Sequence, residues 1–163
     1  MAKYAADTSV STDKSKAEIE RTLARYGAQG FTYGYSDDDT VVNIGFRLEN
    51  RVVKLQLPLP DRNDPEFTET PSRQWARTEE QAYKAWEQAC RQCWRALALV
   101  IKAKLEAVDA CISDFESEFM AHILLPHGYR VGDFMKPQIA KAYTDGGMPE
   151  LLPSCKALKV RNG

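Results

Sequence analysis

The chain has 163 residues, 44% hydrophobic and 28% charged, with a formal net charge of -1; that is the size and make-up of one globular domain with a core of its own. Near-zero charge excludes a uniformly basic nucleic-acid binder and an acidic DNA mimic, so any electrostatic role must come from local patterning. The apolar run Ala96 to Ile101 is far too short to cross a bilayer, and the opening MAKYAADTSVSTDKSK lacks the apolar stretch of a signal peptide, so the expected setting is a cytoplasm, with the four cysteines as thiols.

Residues 1–14 read as a flexible N-terminal arm and 15–163 as a single α+β domain, with 58–77 as a long loop. SKAEIERTLARYG predicts a helix. Ser15 and Glu18 match a capping box, Ile19, Leu23 and Tyr26 share a face, and Gly27 tolerates the left-handed conformation that ends a helix. Three strands follow. Phe31, Tyr33 and Tyr35 alternate in the first, Asp37 to Asp39 lie in a turn, and Val42, Ile44, Phe46 and Leu48 share one face of the second. Glu49 and Asn50 make a tight connection, Val53, Leu55 and Leu57 share a face of the third, and Pro58 and Pro60 end it. This period of two is that of an antiparallel meander with one wet face.

After the loop, Thr78 and Gln81 form a second capping box. Tyr83, Trp86, Cys90, Cys93, Leu97, Val100, Ile101, Leu105, Val108, Ile112, Phe115 and Phe119 then recur every three or four residues. Unbroken to Leu125, this helix would be roughly 70 Å long; Ser113 with Glu116 repeats the capping pattern and marks a break near Cys111 to Ser113. Pro126, His127 and Gly128 make a turn between short β-like pieces. Asp133 caps a short helix holding Phe134, Ile139 and Tyr143, which Gly146, Gly147 and Pro149 stop.

The chemistry-bearing candidates are few. Cys90 and Cys93 form a C-x-x-C, but inside a helix and on its apolar side; zinc sites take such pairs from turns and add a second pair, and a redox pair needs a helix N-terminus. Both cysteines are expected to be core thiols, with no metal and no cofactor. Nucleophile, phosphate-loop, dinucleotide and metalloprotease motifs are absent. A two-metal nuclease would draw on Asp37, Asp38, Asp39, Asp61, Asp64, Glu49 and Lys54, but the D-x-n-E-x-K spacing is missing, so no catalytic residue is expected.

The long helix carries a basic line: Arg77, Lys84, Arg91, Arg95 and Lys102 stay within about 40° of each other at 100° per residue, and beyond them the line turns acidic at Glu106, Asp109 and Glu116. Such a stripe either tracks phosphates or is a solvated face of ion pairs such as Glu87 with Arg91. Arg47, Arg51, Lys54, Arg62 and Arg73 add positive charge nearby. Trp75 is placed either to stack on a base or to close over the core. Lys104 falls on the apolar side, where it either snorkels, the favoured expectation, or pairs with a carboxylate of another element or chain.

SKAEIERTLARYGAQGFTYG, LPLPDRNDPEF, AWEQACRQCWRALALVIKAKLEAV and LPHGYRVGDFM with PQIAKAY and GGMPELLP together resemble a family of small uncharacterised proteins encoded by bacteriophages and prophages. The resemblance spans nearly the whole chain and implies a context, a host-cytoplasmic protein serving phage DNA metabolism or interference with a host system; it transfers no functional residue. Separately, the order helix, three strands, helix is that of double-stranded-RNA-binding domains, with a longer linker and a longer second helix here.

The expected fold is α+β: a short helix and a three-stranded meander packed on one long helix, with a small C-terminal hairpin and helix as a cap. The apolar stripe outruns a sheet of about 20 Å, so the cap or a second copy has to cover the excess, and a homodimer is expected. The expected function is non-catalytic binding of DNA or RNA through Arg73, Trp75, Arg77, Lys84, Arg91, Arg95 and Lys102. The alternative is a protein-binding inhibitor of a host factor.

Overall fold

A computed structural model describes residues 8–71 and 75–147. The fold is α+β. The elements run α1 (Thr12–Arg25), β1 (Gln29–Tyr35), β2 (Val41–Leu48), β3 (Arg51–Pro58), α2 (Pro65–Thr68), α3 (Glu79–Asp109), α4 (Phe115–Phe119), a 3-10 turn (Met120–His122) and α5 (Val131–Asp145). The three strands form one antiparallel sheet in the order β1-β2-β3.

The first helix starts earlier than the capping pattern indicates. Ser11, not Ser15, is the N-cap, and its hydroxyl accepts from the Lys14 N–H at 3.3 Å; the helix thus begins inside the segment expected to be an arm. Ser15 lies one turn inside and is fully buried, so packing, not capping, sets its place. Gly27 takes φ +84° just past the C-cap.

The hairpins follow from local chemistry. Asp38 accepts from the hydroxyls of Ser36 (2.6 Å) and Thr40 (2.8 Å) and closes the β1–β2 turn; these bonds lower its pKa to about 2. Glu49 and Asn50 both take positive φ between β2 and β3, as a two-residue hairpin requires. Val42, Ile44 and Phe46 of β2 and Val53, Leu55 and Leu57 of β3 face inward and are buried. β1 carries a bulge between Gln29 and Thr32.

α3 spans about 45 Å at 1.5 Å per residue. Its capping box at Thr78 and Gln81 is present. The buried residues are Cys90, Trp94, Leu97, Ala98, Ile101 and Leu105, so the core face is rotated from the expected one: Trp94 and Ala98 are central, while Val100 is 48% exposed. Trp94 meets Tyr33 edge-on at 6.1 Å. Ile19 and Leu23 of α1 join this core, so α1 and α3 lie side by side on the inner face of the sheet.

The helix does break where expected. Ala110 is its C-cap and Cys111 takes φ +55°, but Asp114 rather than Ser113 caps α4, accepting from the Ser117 N–H at 2.8 Å. The return of the chain brings Phe115 and Phe119 onto the core, with Phe119 edge-on to Phe46 at 5.8 Å. This intrachain cover takes up part of the apolar stripe, while Val100 and Ile112 stay 48% and 80% exposed. The Lys104 ammonium donates to the Glu118 carbonyl at 2.7 Å and pairs with the Glu118 carboxylate at 3.3 Å. It is paired within its own chain rather than snorkelling.

The segment 58–77 is not structureless. Asp64 caps α2, whose Phe67 is buried, Glu69 bridges Ala76, and the indole of Trp86 donates to the Pro60 carbonyl at 2.9 Å.

Candidate functional site

The stripe is the first place to look. Because the core face of α3 centres on Trp94, Ile101 and Leu105, the basic line flanks the core rather than opposing it. α1 packs along that flank, and it captures the middle of the stripe. Arg95 pairs with Glu18 of α1. Arg91 pairs with Glu87 at 3.1 Å, the i, i+4 contact expected from sequence, and donates twice to the Gln88 side-chain oxygen at 2.9 and 2.6 Å. Lys84 pairs with Glu80 at 2.5 Å. Arg77 is spent on architecture: its guanidinium donates to the carbonyls of Glu66 (3.3 Å) and Phe67 (3.1 Å), tying α2 to the start of α3. Lys102 is exposed and borders a cleft of about 280 Å³ with Glu18, Arg21, Arg25, Tyr26 and Glu106, a lining of mixed sign.

Arg73 lies outside the described residues, as do Pro149 and Cys155. Trp75 is 65% exposed and does not close over the core; its main chain exchanges bonds with Thr70, whose hydroxyl accepts the Trp75 N–H at 3.1 Å. The Arg62 guanidinium sits 5.2 Å from the centre of the half-exposed Tyr83 ring. Lys84, Arg91, Arg95 and Lys102 thus extend along one flank of α3 without converging on a single point.

Cys90, Asp38, Asp61 and Asp64 have structural roles. Cys90 is buried, and burial pushes its thiol up to about 11, which keeps it protonated at neutral pH. Cys93 is half-buried and Cys111 exposed. Among the described residues, no three His, Cys, Asp or Glu side chains gather as metal ligands would, and no helix is long and apolar enough to cross a membrane. Asp38, Asp61 and Asp64 act as turn and cap acceptors.

A second surface escaped the sequence reading. Leu124 bridges Arg130, and the Gly128 N–H donates to the Leu125 carbonyl at 2.8 Å, which makes the expected turn at 126–128. Arg130, not Asp133, is the N-cap of α5; Asp133 sits in the first turn and holds the Arg130 guanidinium with two bonds of 2.7 Å. Gly132 lets the helix dock, since a Cβ there would lie 2.7 Å from the Ala121 carbonyl oxygen. Gly146, at φ +65°, ends it.

Yet α5 buries none of its residues. Phe134, Ile139 and Tyr143, which the expected helix does hold, are 54%, 51% and 88% exposed. The signal was there: residues 134 and 139 differ by about 140° and 134 and 143 by about 180° at helical spacing, so no single face could hide all three. Phe134 and Pro137 line a cleft of about 740 Å³ with Leu125, His127 and Tyr129 across from them. This concave surface is largely apolar and open to solvent. Compared with protein-family models, with curated proteins and with solved structures, the chain matches none.

Proposed function

We propose that this chain is a non-catalytic protein-binding module, and that the cleft between Leu125–Arg130 and α5 receives apolar side chains of its partner. In the phage context that the sequence resemblance implies, it acts as an inhibitor of a host factor. One observation carries the reading: a docked 15-residue helix that buries no residue and instead lends Phe134 and Pro137 to an open apolar cleft. Exposed apolar surface of this kind costs solubility and marks contact sites.

The test places a photocrosslinking side chain at Gln138, on the rim of the cleft, in cells making the full-length protein. One predominant protein adduct is expected, and Phe134→Asp should abolish it while leaving the melting temperature within about 2 °C, because an exposed side chain contributes little to stability. Adducts that are unselective, or that survive Phe134→Asp, overturn the reading.

Binding of DNA or RNA is the second reading, and the exposed Trp75 and Tyr83 beside Arg62 favour it, because aromatic rings with neighbouring cations form stacking platforms. It ranks second because Arg91, Arg95 and Lys84 already face carboxylates and Glu79 and Glu80 open α3 at the same end. Anisotropy titrations with single- and double-stranded DNA and RNA decide it. Affinity that falls steeply with salt and weakens with Trp75→Ala would promote this reading over the first.

A further inference from the structure

The two edges of the sheet are finished differently. The outer edge of β3 is partly covered: Ile123 bridges Val53, and the Leu124 N–H donates to the Val52 carbonyl at 2.8 Å. β3 also carries Arg51 and Lys54 and ends at Pro58, the charges and proline that discourage added strands. Among the described residues, nothing pairs with the outer edge of β1. Its sequence, QGFTYGY, contains no charge and no proline. The bulge lies before Thr32, and Thr32 to Tyr35 keep a regular register.

The hydrogen-bonding phase says which groups face outward. The Ser36 N–H donates to the Val41 carbonyl at 2.8 Å, so Ser36 and Val41 form a hydrogen-bonded pair. Bonded and non-bonded pairs alternate in an antiparallel ladder. Gly34 with Asn43 and Thr32 with Gly45 are then bonded, and Tyr33 with Ile44 and Tyr35 with Val42 are not. The main-chain N–H and C=O groups of Tyr33 and Tyr35 therefore point away from the sheet. The side chains on that edge are also uncovered: Tyr33 and Tyr35 are 48% and 47% exposed, and Phe31 lies 6.2 Å from Tyr33 in the same row.

We propose that β1 pairs with β1 of a second copy of this chain, antiparallel about a two-fold axis at Tyr33, so that two three-stranded sheets become one of six. A second copy fits this edge because the pairing is self-complementary. Each Tyr33 offers the donor and acceptor that the other needs, Tyr35 meets Phe31 of the partner subunit, and Thr32 meets Gly34 of the partner subunit. An uncharged strand sets no like charges opposite each other. The nearest cation, Lys16, lies behind the rings, 4.8 Å from the centre of Tyr33 and 5.1 Å from that of Trp94, with Asp13 at 3.7 Å as its counter-charge. Symmetric pairing also closes the assembly, whereas open-ended strand addition would build fibres.

Sedimentation of the full chain tests this, with variants at Thr32 and Gly34. Thr32 is exposed, and a Cβ at Gly34 meets nothing within 4 Å, so both sites accept larger side chains. Thr32→Lys with Gly34→Lys sets lysine against lysine twice across the axis and should raise the dimer dissociation constant about tenfold or more. Thr32→Glu with Gly34→Lys sets opposite charges together and should keep the dimer. Amide exchange on the unmodified chain gives an independent check: the Tyr33 and Tyr35 N–H groups should exchange more slowly as concentration rises. A wild type that stays monomeric at about 50 µM overturns the proposal, as does a dimer indifferent to the two lysines or a concentration-independent exchange rate at Tyr33 and Tyr35. The photocrosslinking test at Gln138 is read on another surface, so the two proposals fail separately.

Discussion

Residues 12–109 and residues 131–145 divide the labour of the molecule. In the first region α1, two of the strands and α3 each place side chains in one core, and Ile19, Val42, Ile44, Val53, Trp94 and Ile101 are at most 1% exposed. In the second, a helix of comparable length to α1 docks through Gly132 against Ala121 and has no fully buried residue. Helices in proteins draw most of their stability from a packed face. α5 has forgone that gain and keeps its aromatic and aliphatic groups available. Stability is concentrated in one region and contact surface in the other.

The largest expected effect breaks the first region. Trp94→Ala removes the biggest fully buried side chain and should cost about 3–5 kcal/mol in urea unfolding, lowering all probes together. A cost below about 1 kcal/mol would mean that the core does not centre on Trp94. Next is the joint. Gly132→Ala forces a Cβ toward the Ala121 carbonyl, 2.7 Å away, and should cost about 1–3 kcal/mol. Its signature is regional: amide exchange should accelerate across Val131–Asp145 while the α3 amides keep their protection. Equal acceleration in both would erase the distinction between the regions.

The smallest effect is one of pH. His122 sits at the same joint, half-buried, and its Nδ1 has no hydrogen-bond partner among the described residues. Burial, then the positive charges of Lys104, Arg130 and Lys136, holds its pKa below the ordinary 6.5. The folded protein therefore resists the proton that the unfolded chain accepts. Stability is full above 6.5, falls as pH drops from there toward the lowered folded value, and levels off beneath it. Asp38, Asp114 and Asp133, with pKa values lowered from 3.8, lose their contributions only in stronger acid, so the windows separate. Urea midpoints at about pH 7.5 and about pH 5.5 should differ for the wild type, and the gap should shrink in His122→Gln. An unchanged gap would take His122 out of the account.

Much of the fold was legible because its signals are local. Alternation placed β2 and β3, turn chemistry placed Asp38 and the Glu49–Asn50 hairpin, and the Thr78 capping box fixed the start of α3. The errors came where two local signals competed or where the partner was distant. On α3 the positions 90, 94, 97, 101 and 105 are as regular as the series through Cys93 and Val100; the size of Trp94 would have chosen between them, because the largest apolar side chain gains most from burial. Ser11 and Ser15 could each cap α1, and packing chose. Lys104 is satisfied by a main-chain carbonyl 14 residues on, across a helix break, which no spacing reveals. The basic stripe was regular in sequence, but regularity along a helix does not say whether α1 lies against it. The cleft beside α5 could have been found from the divergence of its apolar angles.

The three tryptophans of the chain occupy three degrees of enclosure: Trp75 in the open at 65%, Trp86 half-buried and tied to Pro60, Trp94 sealed at 1% between Tyr33 and the core. That gradation makes the protein its own optical gauge. A neutral quencher should extinguish Trp75 first, leaving blue-shifted light from Trp94. A partner arriving over the loop would be reported by the red component of the emission, while loosening of the core would be reported by the blue, so one fluorescence spectrum separates an event at the surface from an event within.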